Sequence, residues 1–349
     1  MKMIFILLLV STFAARASAA ETTTWQEKLT SRMQELEARY PGQVGVFVKD
    51  LETGAEFSHR GDETWYVASG VKVPIALEVL KQVDAGKIHL DQEIEIKESD
   101  FIDGAGETNL QKPGSFVTVR FLVEQMLIHS DNTASDLLIR LAGLSNINRC
   151  LTEVVPAAFT EITSLSDVRR LAFSHFHPAA ARMSNQEIRK IRSIHNERSR
   201  IQELAATLKL KLRNLRCKTQ DEAFSAYYDQ KMNSATLRGY SKLLQAINDS
   251  TLLKPATHRF FIETMSRAET GRQRVVAGLP KKFVFAHKTG TQHARVCDFG
   301  IAWDPSSSSN KKIVIATCAR GILSLKKSEL ALKSIGQAVY QSGVFEDNS

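Results

Sequence analysis

Residues 66–80 read YVASGVKVPIALEVL, in which a serine, Ser69, precedes a lysine, Lys72, by three positions and an apolar run follows. The run predicts a buried helix, on which positions i and i+3 share a face. The lysine amine can therefore reach the serine hydroxyl and act as the base that a serine nucleophile needs. Burial also disfavours the charged ammonium, which lowers the pKa of such a lysine toward the range where it accepts a proton.

The spacing alone is a weak signal, because it also begins at Ser308, Ser309 and Ser324. None of these three serines precedes a long apolar run. On spacing alone, a helix cap beside a surface lysine would be the better interpretation of Ser69. The choice between nucleophile and cap therefore depends on residues elsewhere in the chain.

The length of 349 residues and the hydrophobic share of 43% allow one large domain or two closely packed ones. Residues 1–19 have the pattern of a secretory signal, with Lys2, an apolar stretch and the small residues Ala17-Ser18-Ala19. The apolar stretch is too short to span a bilayer as a permanent helix. We therefore expect an exported chain, periplasmic or secreted, that begins at Ala20 and keeps no stable membrane anchor.

The net charge of +8 is concentrated in residues 182–218, which hold 11 Lys and Arg residues against 3 Glu residues. A basic face toward an anionic envelope polymer is one interpretation of this segment, and a solvated helix face is the other. Nucleic acid is not an expected partner of an exported protein. We also expect a monomer that uses no cofactor and no metal.

Strands are predicted near both ends of the chain and helices between them. Alternation and β-branched or aromatic content predict strands at Gln43–Lys49, Glu56–His59, Phe283–His287, Val296–Trp303 and Lys312–Ala319. Helical periodicity predicts helices at 23–39, 66–80, Val117–Ile128, Thr133–Leu141, Cys150–Phe159, Ser184–Leu215, Ser234–Ile247, Pro255–Met265 and Leu325–Tyr340.

This order of elements predicts an α/β (α+β) fold with one five-stranded antiparallel sheet built from both chain ends. The sheet and its flanking helices are assigned to residues 20–85 and 250–349. An all-α region is assigned to residues 86–249, including a basic helical insertion at about 160–232.

The four cysteines are too few for a disulfide scaffold, and none forms a C-x-x-C pair. Cys297 and Cys318 fall on two predicted strands joined by a turn, so a cross-strand bridge between them is one alternative. Two buried free thiols are the other. The remaining two cysteines are Cys150 and Cys217.

Two further motifs follow Ser69-Gly70-Val71-Lys72 along the chain: Ser130-Asp131-Asn132 and Lys288-Thr289-Gly290-Thr291. Their order and settings resemble the S-x-x-K, S-D-N and K-T-G set of class A β-lactamases and penicillin-binding proteins. The first motif opens a buried helix, the second lies between two helices and the third lies on a strand after His287. The resemblance covers roughly residues 25–158 and 234–345, and it implies a β-lactamase/transpeptidase-like fold with the site in a cleft between the two regions.

The resemblance implies a catalytic role for three residues. Ser69 would attack an activated carbonyl and become acylated, with Lys72 as its general base. Ser130 would pass a proton to the leaving nitrogen, because a hydroxyl both donates and accepts. A helix N-cap is the alternative for Ser130.

The resemblance also implies a substrate-binding role for the third motif and for Asn132. Asn132 would bond a substrate amide, or it is a turn residue. Lys288 and Thr289 would hold a substrate carboxylate, or Lys288 is a solubilising strand-edge residue. Gly290 would let the strand approach closely, and the backbone N–H groups of Ser69 and Thr291 would form the oxyanion hole.

Two further expectations concern residues beside these motifs. Arg295 or Arg320 is expected to support the carboxylate. Asp131 is expected to cap a helix or to bind loop backbone.

The glutamate that frees the acyl-enzyme in class A β-lactamases, in a local pattern E-x-x-L-N, has no match in this chain. The stretch EITSLSDVRRLAF occupies its place, and matching its threonine and leucine puts Arg169 at the glutamate position. A long basic insertion therefore replaces the usual deacylation loop. The nearest acids are Glu161, Asp167, Glu222 and Asp229, each of which is better interpreted as a surface residue.

Three histidines, His175, His177 and His195, also lie in this insertion. Metal ligation is one interpretation of them. Ordinary loop packing is the interpretation that we favour.

Three functions remain open from the sequence. The leading one is an exported serine hydrolase that forms an acyl-enzyme at Ser69 and hydrolyses the amide of a β-lactam. The second is a D-alanyl-D-alanine peptidase or acyltransferase with slow deacylation, whose substrate would be a peptidoglycan stem peptide. The third is a non-catalytic envelope-binding protein that uses the basic insertion.

Overall fold

The computed structural model describes residues 24–309 and 311–346, so the predicted signal at 1–19 lies outside the described residues. The strands are β1 (Gln43–Asp50), β2 (Glu56–His59), β3 (Thr64–Tyr66), β4 (Glu93–Glu95), β5 (Phe116–Thr118), β6 (Ser234–Thr236), β7 (Val284–Gln292), β8 (Arg295–Trp303) and β9 (Lys312–Arg320). Five of them form one antiparallel sheet in the order β2-β1-β9-β8-β7. The predicted five-stranded sheet from both chain ends is confirmed.

The helices lie on both faces of this sheet and between its two halves in sequence. They are α1 (Trp25–Arg39), α2 (Lys72–Asp84), α3 (Val119–Ile128), α4 (Asn132–Ala142), α5 (Leu144–Val154), α6 (Leu165–Ser174), α7 (Asn185–Arg192), α8 (Glu197–Thr207), α9 (Gln220–Asp229), α10 (Leu237–Asn248), α11 (Pro255–Ser266), α12 (Val275–Gly278) and α13 (Leu325–Gln341). None of the described helices combines the length and apolar character that crossing a membrane requires.

The sheet separates two apolar cores, because side chains of successive strand residues point to opposite faces. On one face, α1 and α13 cover residues such as Val44, Val46 and Ile315. On the other face, α2 and α10 pack with the helical region around residues such as Phe47 and Phe299. The α2 helix is buried from its first residue to Leu80, so it is the shared wall between sheet and helices.

The predicted helix over Ser184–Leu215 is wrong as one continuous element. The chain forms α7 and α8 there, separated at residues 193–196, and a 3-10 turn at Leu212–Asn214. The side chain of Asn196 accepts a hydrogen bond from the Ser199 amide at 2.9 Å and so starts a new helix. The apolar side chains of this segment form a small separate core with the ends of the neighbouring helices.

Two other helix boundaries also differ from the prediction. The helix expected over Cys150–Phe159 is α5, which begins at Leu144 after Gly143 (φ 85°) and ends before Pro156. Residues 234–236 start no helix, because they pair with β3 as a short strand. A second two-stranded pair, β4 with β5, also lies inside the region predicted to be entirely helical.

Cys297 and Cys318 form the cross-strand disulfide, which was one of the two alternatives from the sequence. They are directly opposite each other in the β8–β9 register, and both are buried. The other cysteines in the described chain, Cys150 and Cys217, are free thiols. The bridge ties β9 to β8, the strand that pairs with β7.

Candidate active site

Ser69 lies in a 3-10 turn, Ala68–Val71, between β3 and α2. It is partly exposed whereas both of its neighbours are buried, so its hydroxyl group is the accessible group of the turn. Tyr240 supports the turn from below by donating its hydroxyl to the Gly70 carbonyl at 2.7 Å. Ala68 has a φ of 48°, a left-handed conformation that costs a non-glycine residue energy and that clusters at functional sites.

Lys72, the first residue of α2, is fully buried and donates three hydrogen bonds through Nζ. The acceptors are the Ser130 carbonyl at 2.6 Å, Ser130 Oγ at 3.1 Å and Asn132 Oδ1 at 2.7 Å. Within the described chain, none of its hydrogen bonds goes to Ser69, so the direct contact that the spacing suggested is absent. Burial, and next the nearby ammonium of Lys288, lower the pKa of Lys72 well below its ordinary value.

Ser130 bridges the two lysines of the site. Lys288 Nζ donates to Ser130 Oγ at 3.0 Å, on the same oxygen that Lys72 contacts. Burial, and next the charge of Arg274, lower the pKa of Lys288 to about 7. The backbone of Ser130 is left-handed, with a φ of 62°, so this residue is not part of a helix. Its hydroxyl group lies between the Lys72 and Lys288 amines.

Asp131 and Asn132 begin α4 and hold the loop that faces it. Asp131 accepts hydrogen bonds from the backbone amides of Ala134 and Thr108, at 3.0 and 3.1 Å, which confirms the expectation that it caps a helix and binds loop backbone. Asn132 donates to the Asp103 carbonyl at 2.8 Å while accepting from Lys72. Its amide is thereby fixed between the lysine and the loop at Asp103.

The K-T-G residues lie on β7, at the free edge of the sheet and next to the Ser69 turn. A Cβ on Gly290 would meet the Val67 carbonyl at 2.3 Å, so only glycine permits this approach. Thr289 hydroxyl lies 2.7 Å from that of Thr270. Because alternate N–H groups of an edge strand point away from its partner, β7 can offer an amide near Thr291 to the turn.

Arg274 is the functional candidate that sequence reasoning missed. It is 4% exposed, and it donates to the Gly290 and Cys297 carbonyls and to Thr291 Oγ1, the last at 2.6 Å. The expected residues lie elsewhere: Arg295 stacks over Tyr228 and Arg320 over Trp65. No local pattern marks Arg274, because its position depends on the packing of α12 against α13 and on hydrogen bonds to β7 and β8.

Several of these residues line one cavity of about 390 Å³. Its lining includes Ser69, Ser130, Asn132, Arg274, Thr289, Thr291, Leu165 and Arg169, and among the described residues it holds no aspartate or glutamate. His129 also lines it, with its Nδ1 atom 3.5 Å from Glu269. The described lining therefore has two serines, two arginines and no carboxylate base, whereas Lys72 and Lys288 lie behind it and contact Ser130.

The acids considered from the sequence are used outside this cavity. Asp167 bonds Ser164 and Arg170, and Glu222 accepts from the Lys218 amide. Glu161 and Asp229 are exposed and do not line it. Each of the four is a surface or capping residue in the described structure.

The three histidines of the insertion do not gather into a site. His175 contacts Gln230, and His177 accepts from the Ala179 amide. His195 is exposed. In the part of the chain that the structure describes, no group of three His, Cys, Asp or Glu residues could hold a metal ion.

The segment in place of the deacylation loop is fixed against α4. Asp136 accepts hydrogen bonds from the Leu165 and Ser166 amides at 2.6 and 3.0 Å. Leu165 and Arg169 are four positions apart on α6, so they share a face, and both line the cavity. The sequence match placed Arg169 at the position of the missing glutamate and did not consider Leu165. It aligned a threonine and a leucine of the segment, whereas the contact of Asp136 with the Leu165 amide is visible only in the structure.

Comparison with known proteins identifies the same family along the whole described chain. The model of the beta-lactamase enzyme family matches residues 28–342. A beta-lactamase of Rhodobacter capsulatus is 32% identical over 129 residues, which is 37% of this chain and 43% of that protein. Beta-lactamase VEB-1 of Pseudomonas aeruginosa is 22% identical over 338 residues, 96% of this chain and 89% of that protein.

Solved structures show the same fold. A beta-lactamase from Xanthomonas campestris has a TM-score of 0.68 at 21% identity, covering 92% of this chain and 99% of its own. PBP-A has a TM-score of 0.67 at 21% identity, covering 90% of this chain and 94% of its own. A variant of PBP-A has been solved as an acyl-enzyme with penicillin G.

The lowered pKa of Lys288 gives a test of the expectation that this residue holds a carboxylate. With a pKa of about 7, Lys288 loses its charge as pH rises, so the affinity for N-acetyl-D-alanine is expected to fall about tenfold between pH 6 and pH 8. NMR titration measures the dissociation constant. Lys288→Arg, which stays charged, is expected to remove this pH dependence. An affinity that is equal at both pH values in the unaltered protein would contradict the assignment of Lys288.

Proposed function

Because this chain belongs to the beta-lactamase enzyme family, we propose that it is a serine hydrolase acylated on Ser69. One observation carries the proposal: the accessible Ser69 shares a cavity with Ser130, the serine that both buried lysines contact. The nucleophile thus lies in one cavity with the hydroxyl group that connects it to both candidate bases. The substrate is a β-lactam, and its amide is the bond that is cleaved.

Acylation follows from the arrangement of the amines. Lys72, with its lowered pKa, accepts the Ser69 proton as Ser69 Oγ attacks the carbonyl carbon. Ser130 Oγ, within 3.1 Å of Lys72 and 3.0 Å of Lys288, gives its proton to the leaving nitrogen and is reprotonated by a lysine. Backbone N–H groups of Ser69 and Thr291 stabilise the oxyanion.

The substrate carboxylate lies on the β7 wall. Lys288 supplies the charge and Thr289 a hydroxyl, while Arg274 adds a guanidinium that is anchored to Gly290 and Thr291. Charge-assisted hydrogen bonds of this kind contribute about 1.5–3 kcal/mol each. This wall therefore fixes the half of the substrate that carries the leaving nitrogen.

The second candidate is a penicillin-binding-protein-like peptidase or acyltransferase that acts on a stem peptide ending in D-alanyl-D-alanine. The absence of an acidic residue from the described cavity lining favours it. A positioned general base contributes about 10²–10⁴-fold, so water attack on the Ser69 ester is expected to be slow. We therefore propose that deacylation limits turnover in either case.

We also propose that the protein is exported to the periplasm or secreted. Support comes from the signal-like pattern of residues 1–19, with its basic, apolar and small-residue parts. Amino-terminal sequencing of protein recovered outside the cytoplasm tests this. A chain that still begins at Met1 and stays in the cytoplasm would contradict it.

Reaction with a chromogenic cephalosporin tests the proposed chemistry. We expect a burst of about one equivalent of colour and then slow turnover, with an adduct on Ser69 by intact mass, because acylation is fast and deacylation is slow. Ser69→Ala is expected to give neither signal.

The other outcomes separate the candidates. Sustained rapid colour without adduct would mean that another group serves as the deacylating base. A permanent adduct without turnover would favour the second candidate. No reaction that depends on Ser69 would contradict both and favour a non-catalytic envelope-binding protein.

A carboxylate placed in the cavity is expected to speed loss of the adduct. Leu165→Glu and Arg169→Glu each put one on the α6 face that lines the cavity, where it can activate water. We expect at least one of them to shorten the adduct lifetime by about tenfold or more, measured by intact mass after excess substrate is removed. Leu165→Gln and Arg169→Gln are the matched controls. Equal lifetimes in all four variants would show that this face does not meet the ester.

A further inference from the structure

The cavity has a cation besides Arg274. Arg169 lines it from α6, and its side chain is 13% exposed. Its Nε and Nη2 atoms donate to the two carboxylate oxygens of Asp103, at 2.8 and 3.1 Å. Within the described chain, no group accepts a hydrogen bond from its Nη1 atom, so two donors remain for a ligand.

Arg169 shares its carboxylate partner with a second guanidinium group. Asp103 also accepts from Arg192 Nε, at 3.2 Å, so two guanidinium groups share one carboxylate. Both guanidinium groups lower the pKa of Asp103 to about 2, although its burial acts in the opposite direction, so it is ionised at any working pH. The nearby Asp136 already accepts the Leu165 and Ser166 amides. Arg169 therefore has only a shared part of the Asp103 charge, and the described lining of the cavity holds no carboxylate to accept from its Nη1 atom.

Arg169 is connected to Asn132 through Asp103. Asn132 donates to the backbone carbonyl of Asp103, whose carboxylate holds Arg169, so these three residues are contiguous. The family resemblance implies that Asn132 bonds a substrate amide, and we assign that amide to the acyl half. The carboxylate of the leaving half lies at Lys288 and Thr289, on the β7 wall.

We propose that Arg169 forms a second anion subsite that selects acyl donors carrying a carboxylate on the acyl half as well as on the leaving half. The subsite rests on the proposed acylation of Ser69 and adds its substrate class, a dicarboxylate. The chemistry is shared by a β-lactam with an acidic side chain and by a peptide with an acidic N-acyl group.

Two penicillins that differ only in one carboxylate test the subsite: benzylpenicillin and its α-carboxy derivative. The second-order rate constant of acylation is measured for each by intact mass. We expect Arg169→Gln to lower the ratio of the α-carboxy to the benzyl rate constant by about tenfold, and Arg169→Lys to preserve most of it. Arg198→Gln, an exposed α8 residue with the same loss of charge, is expected to leave the ratio unchanged.

Asp103→Asn is expected to change the ratio of the two acylation rate constants in the opposite direction. It removes the carboxylate that the two guanidinium groups share, so the ratio is expected to rise. If Arg169→Gln does not fold, this variant decides by itself, because an unchanged or lower ratio would overturn the proposal. A ratio that Arg169→Gln leaves unchanged would also overturn it.

The same comparison separates this proposal from the proposed function. If neither penicillin acylates the unaltered protein, the proposed function fails and the subsite falls with it. If both acylate it and the ratio ignores Arg169, only the subsite is wrong. N-succinyl and N-acetyl peptides ending in D-alanyl-D-alanine, compared in the same variants, show whether the preferred dicarboxylate is a β-lactam or a peptide.

Discussion

The burial of the Lys72 amine against Ser130 is the constraint on which the site depends. An isolated ammonium moved into a protein interior costs several kcal/mol, so a lysine that is fully buried needs close acceptors or loses its proton. Lys72 has three acceptors, all from Ser130 and Asn132 at the start of α4. One side chain of α2 thereby ties the wall of the sheet to the helical region and aligns the first two motifs.

The third motif meets this pair through the edge of the sheet. β7 approaches the Ser69 turn because Gly290 has no side chain, and this places Lys288 within reach of Ser130. Two amines then share one hydroxyl, and the charge of Lys288 lowers the pKa of Lys72. Arg274 adds a third cation behind β7, which lowers the pKa of Lys288 further. Burial first, and this neighbouring positive charge second, make a lysine available as a base.

The sequence was sufficient for the sheet and for the residues with a local pattern. Alternation placed the strands, and the three motifs predicted that Ser69, Lys72, Ser130 and Lys288 belong together. It was insufficient where geometry depends on contacts distant in the chain. Arg274 has no local pattern. The Lys72 amine bonds Ser130 and not Ser69, and sequence spacing does not determine which acceptor a side chain contacts. The helical spacing of apolar residues also continues across the break before α8, because the cap at Asn196 starts a new helix without changing that spacing.

The lowered pKa of Lys72 is the central claim, and NMR titration of lysine side chains labelled with ¹³C at Cε measures it directly. We expect the Lys72 resonance, assigned with Lys72→Met, to titrate well below the usual lysine value of about 10.4. Lys288→Met is expected to raise that pKa, because it removes a neighbouring charge. A Lys72 resonance that titrates at the ordinary lysine value in both proteins would contradict the account.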